Sequence, residues 1–254
     1  MIYISTCFGG ESTKHYAEMT WYLCQSILEF NNKKDFKLFI GATDGAGIEY
    51  AKKIAKEYNG ATVLLEERKD LFSLKIDTLL GMYDLINKKA TDKDIICAID
   101  CDVIATGDIC TQINEAFAGV GTDLLMTETR LHRQHIGQKF KSWIVFLRAT
   151  ELAADFIQDW KIFTESAGYK FTDQVGLYRA WDKHKTGLKV IPFEKLSVPL
   201  IHFGSCKIGS ERENNPVVLR KCRGKKRPFN FLKELNYPRG WADVRVKFPN
   251  PPSF

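Results

Sequence analysis

Two carboxylates one residue apart close an apolar run at Ile95-Ile96-Cys97-Ala98-Ile99-Asp100-Cys101-Asp102-Val103. The run has the length and composition of a buried strand, and in open α/β sheets ligands bind where strands end. Two acids withdrawn from water at such a point are costly unless a cation compensates them. Hard oxygen donors suit Mg²⁺ or Mn²⁺, which keep open positions for phosphate oxygens. The competing reading is a simple turn, with one aspartate bonding local amides and the other solvated.

Candidate partners lie downstream. His202, in Pro199-Leu200-Ile201-His202-Phe203-Gly204-Ser205-Cys206-Lys207, is able to add a neutral imidazole to the two acids. Lys207 follows a glycine that lets backbone approach a phosphate closely. A lone histidine after an apolar stretch is otherwise a packed or hydrogen-bonded residue. Thr172-Asp173-Gln174 opens a predicted helix, where a polar N-cap and a first-turn acid are also ordinary helix chemistry.

These residues need elements to hold them. Short apolar runs at 2–8, 37–42, 61–65, 95–99, 124–127 and 143–147 read as strands. Helical spacing joins Tyr16, Met19, Leu23, Ile27 and Phe30, then Ile48, Ala51, Ile54 and Ala55, then Ile76, Leu79, Leu80, Tyr83 and Ile86. Strand and helix alternate through the first hundred residues, so the expected fold class is α/β, a Rossmann-like, mostly parallel sheet flanked by helices. Two later helices are expected, over 150–166 and from Thr172. The polar stretch 128–142, with His132 and His135, reads as a long loop.

The hydrophobic share of 44% and charged share of 27% are those of a globular chain, which excludes extensive disorder. Seven cysteines without CxxC spacing argue against a zinc ribbon or a disulfide framework. With no leader-like segment and no apolar stretch long enough to span a bilayer, the expectation is a cytoplasmic protein without an integral membrane segment. The net charge of +6 resides after Cys206, notably in Arg220-Lys221-Cys222-Arg223-Gly224-Lys225-Lys226-Arg227. The expected division is therefore a domain over 1–206 and a basic extension over 207–254, packed on it or trailing, with little regular structure beyond a short helix near 229–235.

In order and spacing, Asp100-Cys101-Asp102 with Gly107-Asp108-Ile109, the strand Ile144-Val145-Phe146-Leu147 before a helix carrying Trp160, Asp173-Gln174, and His202-Phe203-Gly204-Ser205-Cys206-Lys207 resemble GT-A glycosyltransferases. The nearest group is the glycogenin-like and lipopolysaccharide galactosyltransferase-like family 8, and the resemblance covers roughly residues 1 to 207. It implies a nucleoside diphosphate sugar donor, by family habit a UDP-sugar, and a glycan or other hydroxyl-bearing acceptor. Asp100, Asp102 and His202 would bind Mn²⁺ or Mg²⁺, and Lys207 would meet the diphosphate. Thr6, Cys7 and Phe8, with Asp44 and Cys101, would surround the nucleotide. Lys75 would point toward the donor sugar or phosphates, and Asp173 and Gln174 would face the sugar as catalytic residues. The chain departs from the family where Lys141-Ser142-Trp143 replaces the usual Asn-Ala-Gly, and the His-Gly-Lys element is one residue shorter.

Two other classes compete. A haloacid-dehalogenase-like phosphatase also places DxD after an apolar strand, with the first aspartate as nucleophile. The basic run alone would suit a nucleic-acid or acidic-polymer binding protein, although no nucleic-acid motif accompanies it, so nucleic acid is not the expected partner.

Overall fold

Strand β4 (Ile95–Ile99) shows why a sheet forms at the centre of this chain, since all five of its residues are buried. Ile95, Cys97 and Ile99 pack into one apolar layer, Ile96 and Ala98 into another. A strand apolar on both faces needs helices on both, as in a parallel α/β sheet. The computed structural model describes residues 1–9, 13–43, 45–65, 71–118, 121, 123–128, 139–167, 172–188, 190–192, 200–203, 208 and 241–252.

In chain order the remaining strands are β1 (Ile2–Phe8), β2 (Phe36–Ala42), β3 (Ala61–Leu64), β5 (Val103–Ala105), β6 (Leu124–Glu128), β7 (Phe140–Arg148), β8 (Val190–Pro192) and β9 (Leu200–His202). The helices are α1 (Thr13–Phe30), α2 (Gly45–Glu57), α3 (Leu71–Ile86), α4 (Ile109–Ala118), α5 (Glu151–Ala167), α6 (Thr172–His184) and α7 (Trp241–Lys247). Seven described strands form one sheet in the order β3-β2-β1-β4-β7-β6-β8, while β5 and β9 pair separately. The β3-β2-β1-β4 half is parallel throughout; β7 runs against both β4 and β6. The α/β class with a mostly parallel sheet flanked by helices is therefore as the sequence implied.

The antiparallel β7 matters for the site. It starts at the edge where β4 finishes, and the Asp100 amide donates to the Trp143 carbonyl at 2.8 Å. The first residues of β7 and the DxD turn are thus neighbours by register. α3 is seated deep on the sheet, because a side chain at Gly41 of β2 would collide with Thr78 of that helix. This close approach brings Lys75, near the start of α3, over the same strand ends.

The C-terminal stretch holds a short helix at a place the sequence did not indicate. Trp241 and Val244 of α7, spaced for one helical face, are both fully buried in the core that includes β1 and α1. Trp241 lies 4.7 Å ring to ring from Phe203, and Arg245 pairs with Glu18 at 2.9 Å. The anticipated helix near 229–235 falls outside the described residues, as do His132, His135 and the basic run 220–227. No described helix is long and apolar enough to cross a membrane.

Candidate active site

Asp100 and Asp102 leave β4 on a turn that continues directly into β5. β5 pairs antiparallel with β9, setting Val103 opposite His202, and the Phe203 amide donates to the Asp102 carbonyl at 2.9 Å. The ladder therefore delivers His202 to the turn. Its Nε2 lies 3.2 Å from Asp102 Oδ1 and 4.0 Å from Asp100 Oδ2. One donor atom from each of the three residues lies within 4.8 Å of the others. Asp102 is only 4% exposed, whereas the side chains of Asp100 and His202 are about a third or less open to solvent. Two carboxylates and an imidazole converging at this spacing fit one divalent cation with oxygen and nitrogen donors.

A second cluster abuts the first. Lys75, buried, places Nζ 2.7 Å from Asp100 Oδ1 and 3.2 Å from Asp173 Oδ2, and donates to the Ser142 carbonyl at 2.9 Å. Burial by itself would lower the pKa of this ammonium, but Asp100 and Asp173 together hold it above the ordinary lysine value. Asp173 Oδ2 also accepts a hydrogen bond from Ser142 Oγ, and Oδ1 accepts from the Gln174 backbone amide at 2.9 Å. Trp160 Nε1 donates to the Asp173 carbonyl at 2.8 Å, tying the start of α6 to α5. Trp143 stacks on His202 with ring centroids 4.9 Å apart and planes 3° from parallel.

Of the residues named from sequence, Asp100, Asp102, His202, Lys75 and Asp173 come together here, with Gln174 adjoining. Cys7 borders the group; burial pushes its thiol up to about 12 despite the opposing pull of Lys75. Thr6 and Phe8 alternate to the other face of β1, where Phe8 and also Cys101 belong to the core on the α1 side. Among the described residues Thr6 Oγ1, buried there, has no hydrogen-bond partner. Asp44 and Lys207 lie outside the described residues.

Ser142 and Trp143 received no role from sequence. Their one signal in the sequence was the departure of Lys141-Ser142-Trp143 from the Asn-Ala-Gly of the family it resembles.

The sequence matches no family model and no curated protein. Among solved structures it is similar to mouse xyloside xylosyltransferase 1 in its apo form, at 11% identity and a TM-score of 0.48, covering 76% of this chain and 86% of that one. It is also similar to the glycosyltransferase GlyE of Streptococcus pneumoniae TIGR4, at 14% identity and a TM-score of 0.47; 77% of this chain aligns, spanning 46% of GlyE. A third is a glycosyltransferase involved in glycosylation of the major capsid of PBCV-1, at 11% identity and a TM-score of 0.46, covering 83% and 94% of the two chains. With every one of these scores below 0.5, the functional reading rests on the residues of this chain.

Proposed function

We propose that this protein is a metal-dependent glycosyltransferase of the GT-A type, moving a sugar from a nucleoside diphosphate sugar, in the first instance a UDP-sugar, to an acceptor hydroxyl. The observation that carries the reading is the convergence of Asp100, Asp102 and His202 at the end of β4, next to the Lys75–Asp173–Ser142 cluster. Those three side chains would hold Mn²⁺ or Mg²⁺. When bound, such a cation supplies Lewis-acid stabilisation of charge on a departing diphosphate.

The chain's own groups do the rest. Asp173, whose Oδ2 already accepts from Ser142 and Lys75, serves as a fixed acceptor for donor-sugar hydroxyls, with Gln174 beside it. Lys75 spends its donors on Asp100, Asp173 and Ser142, so its service is to set both carboxylates and add positive charge near the diphosphate. Lys207 is assigned to the diphosphate, and Thr6, Cys7, Phe8, Asp44 and Cys101 to the nucleotide, on the resemblance alone.

A thermal-shift panel of UDP, GDP and their sugars, with and without MnCl₂, tests the reading, since a ligand bound to the native state raises the melting temperature. The expected result is a shift by at least one nucleotide sugar that requires Mn²⁺ and disappears in Asp102→Asn, whose unliganded melt stays near wild type. A panel with no shift, or an equal shift in Asp102→Asn, contradicts it.

A further inference from the structure

The backbone fixes where His202 sits but not how its ring turns. Pairing of β9 with β5 and the Phe203-to-Asp102 bond hold the main chain, while the side chain is still 27% exposed. An imidazole on that backbone has two rotatable bonds, and the setting it takes here turns Nε2 toward both aspartates. A ligand atom that must be oriented on binding binds more weakly than one already oriented.

Something orients it. Trp143 lies flat against the ring, 4.9 Å between centroids and 3° from parallel, so rotation of the imidazole about its Cβ–Cγ bond would drive an edge into the indole. Trp143 is itself well anchored, because it is half-buried in β7, packs against the α1-side core, and takes the Asp100 amide on its carbonyl. One residue thus touches two of the three converging groups, Asp100 through its main chain and His202 through its ring.

We propose that Trp143 is a positioning residue for the cation site, holding the His202 imidazole in the orientation that presents Nε2 to a metal ion shared with Asp100 and Asp102; this rests on the cation reading given above. The aromatic face is the working feature, because a flat surface restricts ring rotation where an aliphatic chain of similar bulk yields. Residues that orient a metal's ligand typically change affinity by about 10–100-fold when replaced.

The experiment is a double-mutant cycle on Mn²⁺ affinity, read by electron paramagnetic resonance of free Mn²⁺ without any substrate. Trp143→Leu is expected to weaken binding about tenfold, and Trp143→Phe, which keeps a flat ring, to retain most of the affinity. In a His202→Ala background, Trp143→Leu is expected to change nothing further, because the effect passes through the histidine. Melting without metal reports folding; should the leucine variant fail to fold, Trp143→Met enters the same cycle. Wild-type affinity in the aliphatic variant, or an equal loss with and without His202, overturns the proposal while leaving the cation site standing. Absence of Mn²⁺ binding by the wild type overturns both.

Discussion

Lys75 shows how much of this site is made by partners that sequence order conceals. Its ammonium meets a carboxylate from the DxD turn, a carboxylate from α6 and a carbonyl from β7, the farthest of them 98 residues along the chain from the lysine. Asp100 and Asp102 were legible as candidates from residue type and spacing, and His202 only beside them and through the family resemblance. Lys75 was legible only as a candidate, since its role depends on how deeply α3 docks against Gly41. Ser142 and Trp143 were visible only as departures from a family pattern, because serine and tryptophan in a strand carry no chemistry until their neighbours are known. Removing the buried lysine leaves two carboxylates without their shared counter-charge. Lys75→Met is therefore expected to cost about 3 kcal/mol of stability in urea unfolding. A loss indistinguishable from zero would mean that the cluster is solvated and the bridge is incidental.

At the scale of elements, the long periodic segments were the readable ones. β1, β2, β4 and helices α1 to α3 fall where alternation and helical spacing put them. β5 and β9 were missed because strands of three residues have no period, although their pairing is what brings His202 to the acids. α4 carried its signal in Ile109, Cys110, Ile113 and Phe117, all buried, but lay hidden behind the turn at 106–108. α5 and α6 depend on each other. A side chain at Gly176 would crowd the Thr164 backbone, and Asp159 of α5 bonds Lys183 at 2.7 Å and His184 at 2.6 Å on α6. Burial would raise the Asp159 carboxyl, but Lys183 and His184 outweigh it and hold the group below its ordinary value. A lowered carboxyl pKa contributes stability above the unfolded value, near 4, and loses it as pH falls through the folded one. Wild type should accordingly exceed Asp159→Asn in stability at neutral pH by about 1 kcal/mol, because Lys183 is largely solvated. Chemical denaturation as a function of pH is expected to show that margin shrinking below about pH 4; a margin constant down to pH 3 would contradict the ion-pair account.

Across the whole molecule, the candidate site lies at the end of the sheet where the central strand β4 finishes, and it draws on both halves of the chain. The parallel half contributes the DxD turn and Lys75, the later half β7, α6 and β9. Trp241, far along the chain, buttresses Phe203 next to His202, and the Trp21 indole reaches the Pro249 carbonyl at 3.2 Å. The described end of the chain thus shares a core with the strand that carries the histidine. Sequence patterning missed this because a single buried tryptophan among prolines and basic residues has no periodic context. The proposed function requires that Asp100, Asp102 and His202 grip one cation that in turn grips a diphosphate. Anomalous diffraction from crystals grown with UDP and MnCl₂ would locate that cation. The expected map has one manganese peak within bonding distance of all three side chains and of a diphosphate oxygen; nucleotide bound elsewhere, or no manganese among those residues, would contradict the claim.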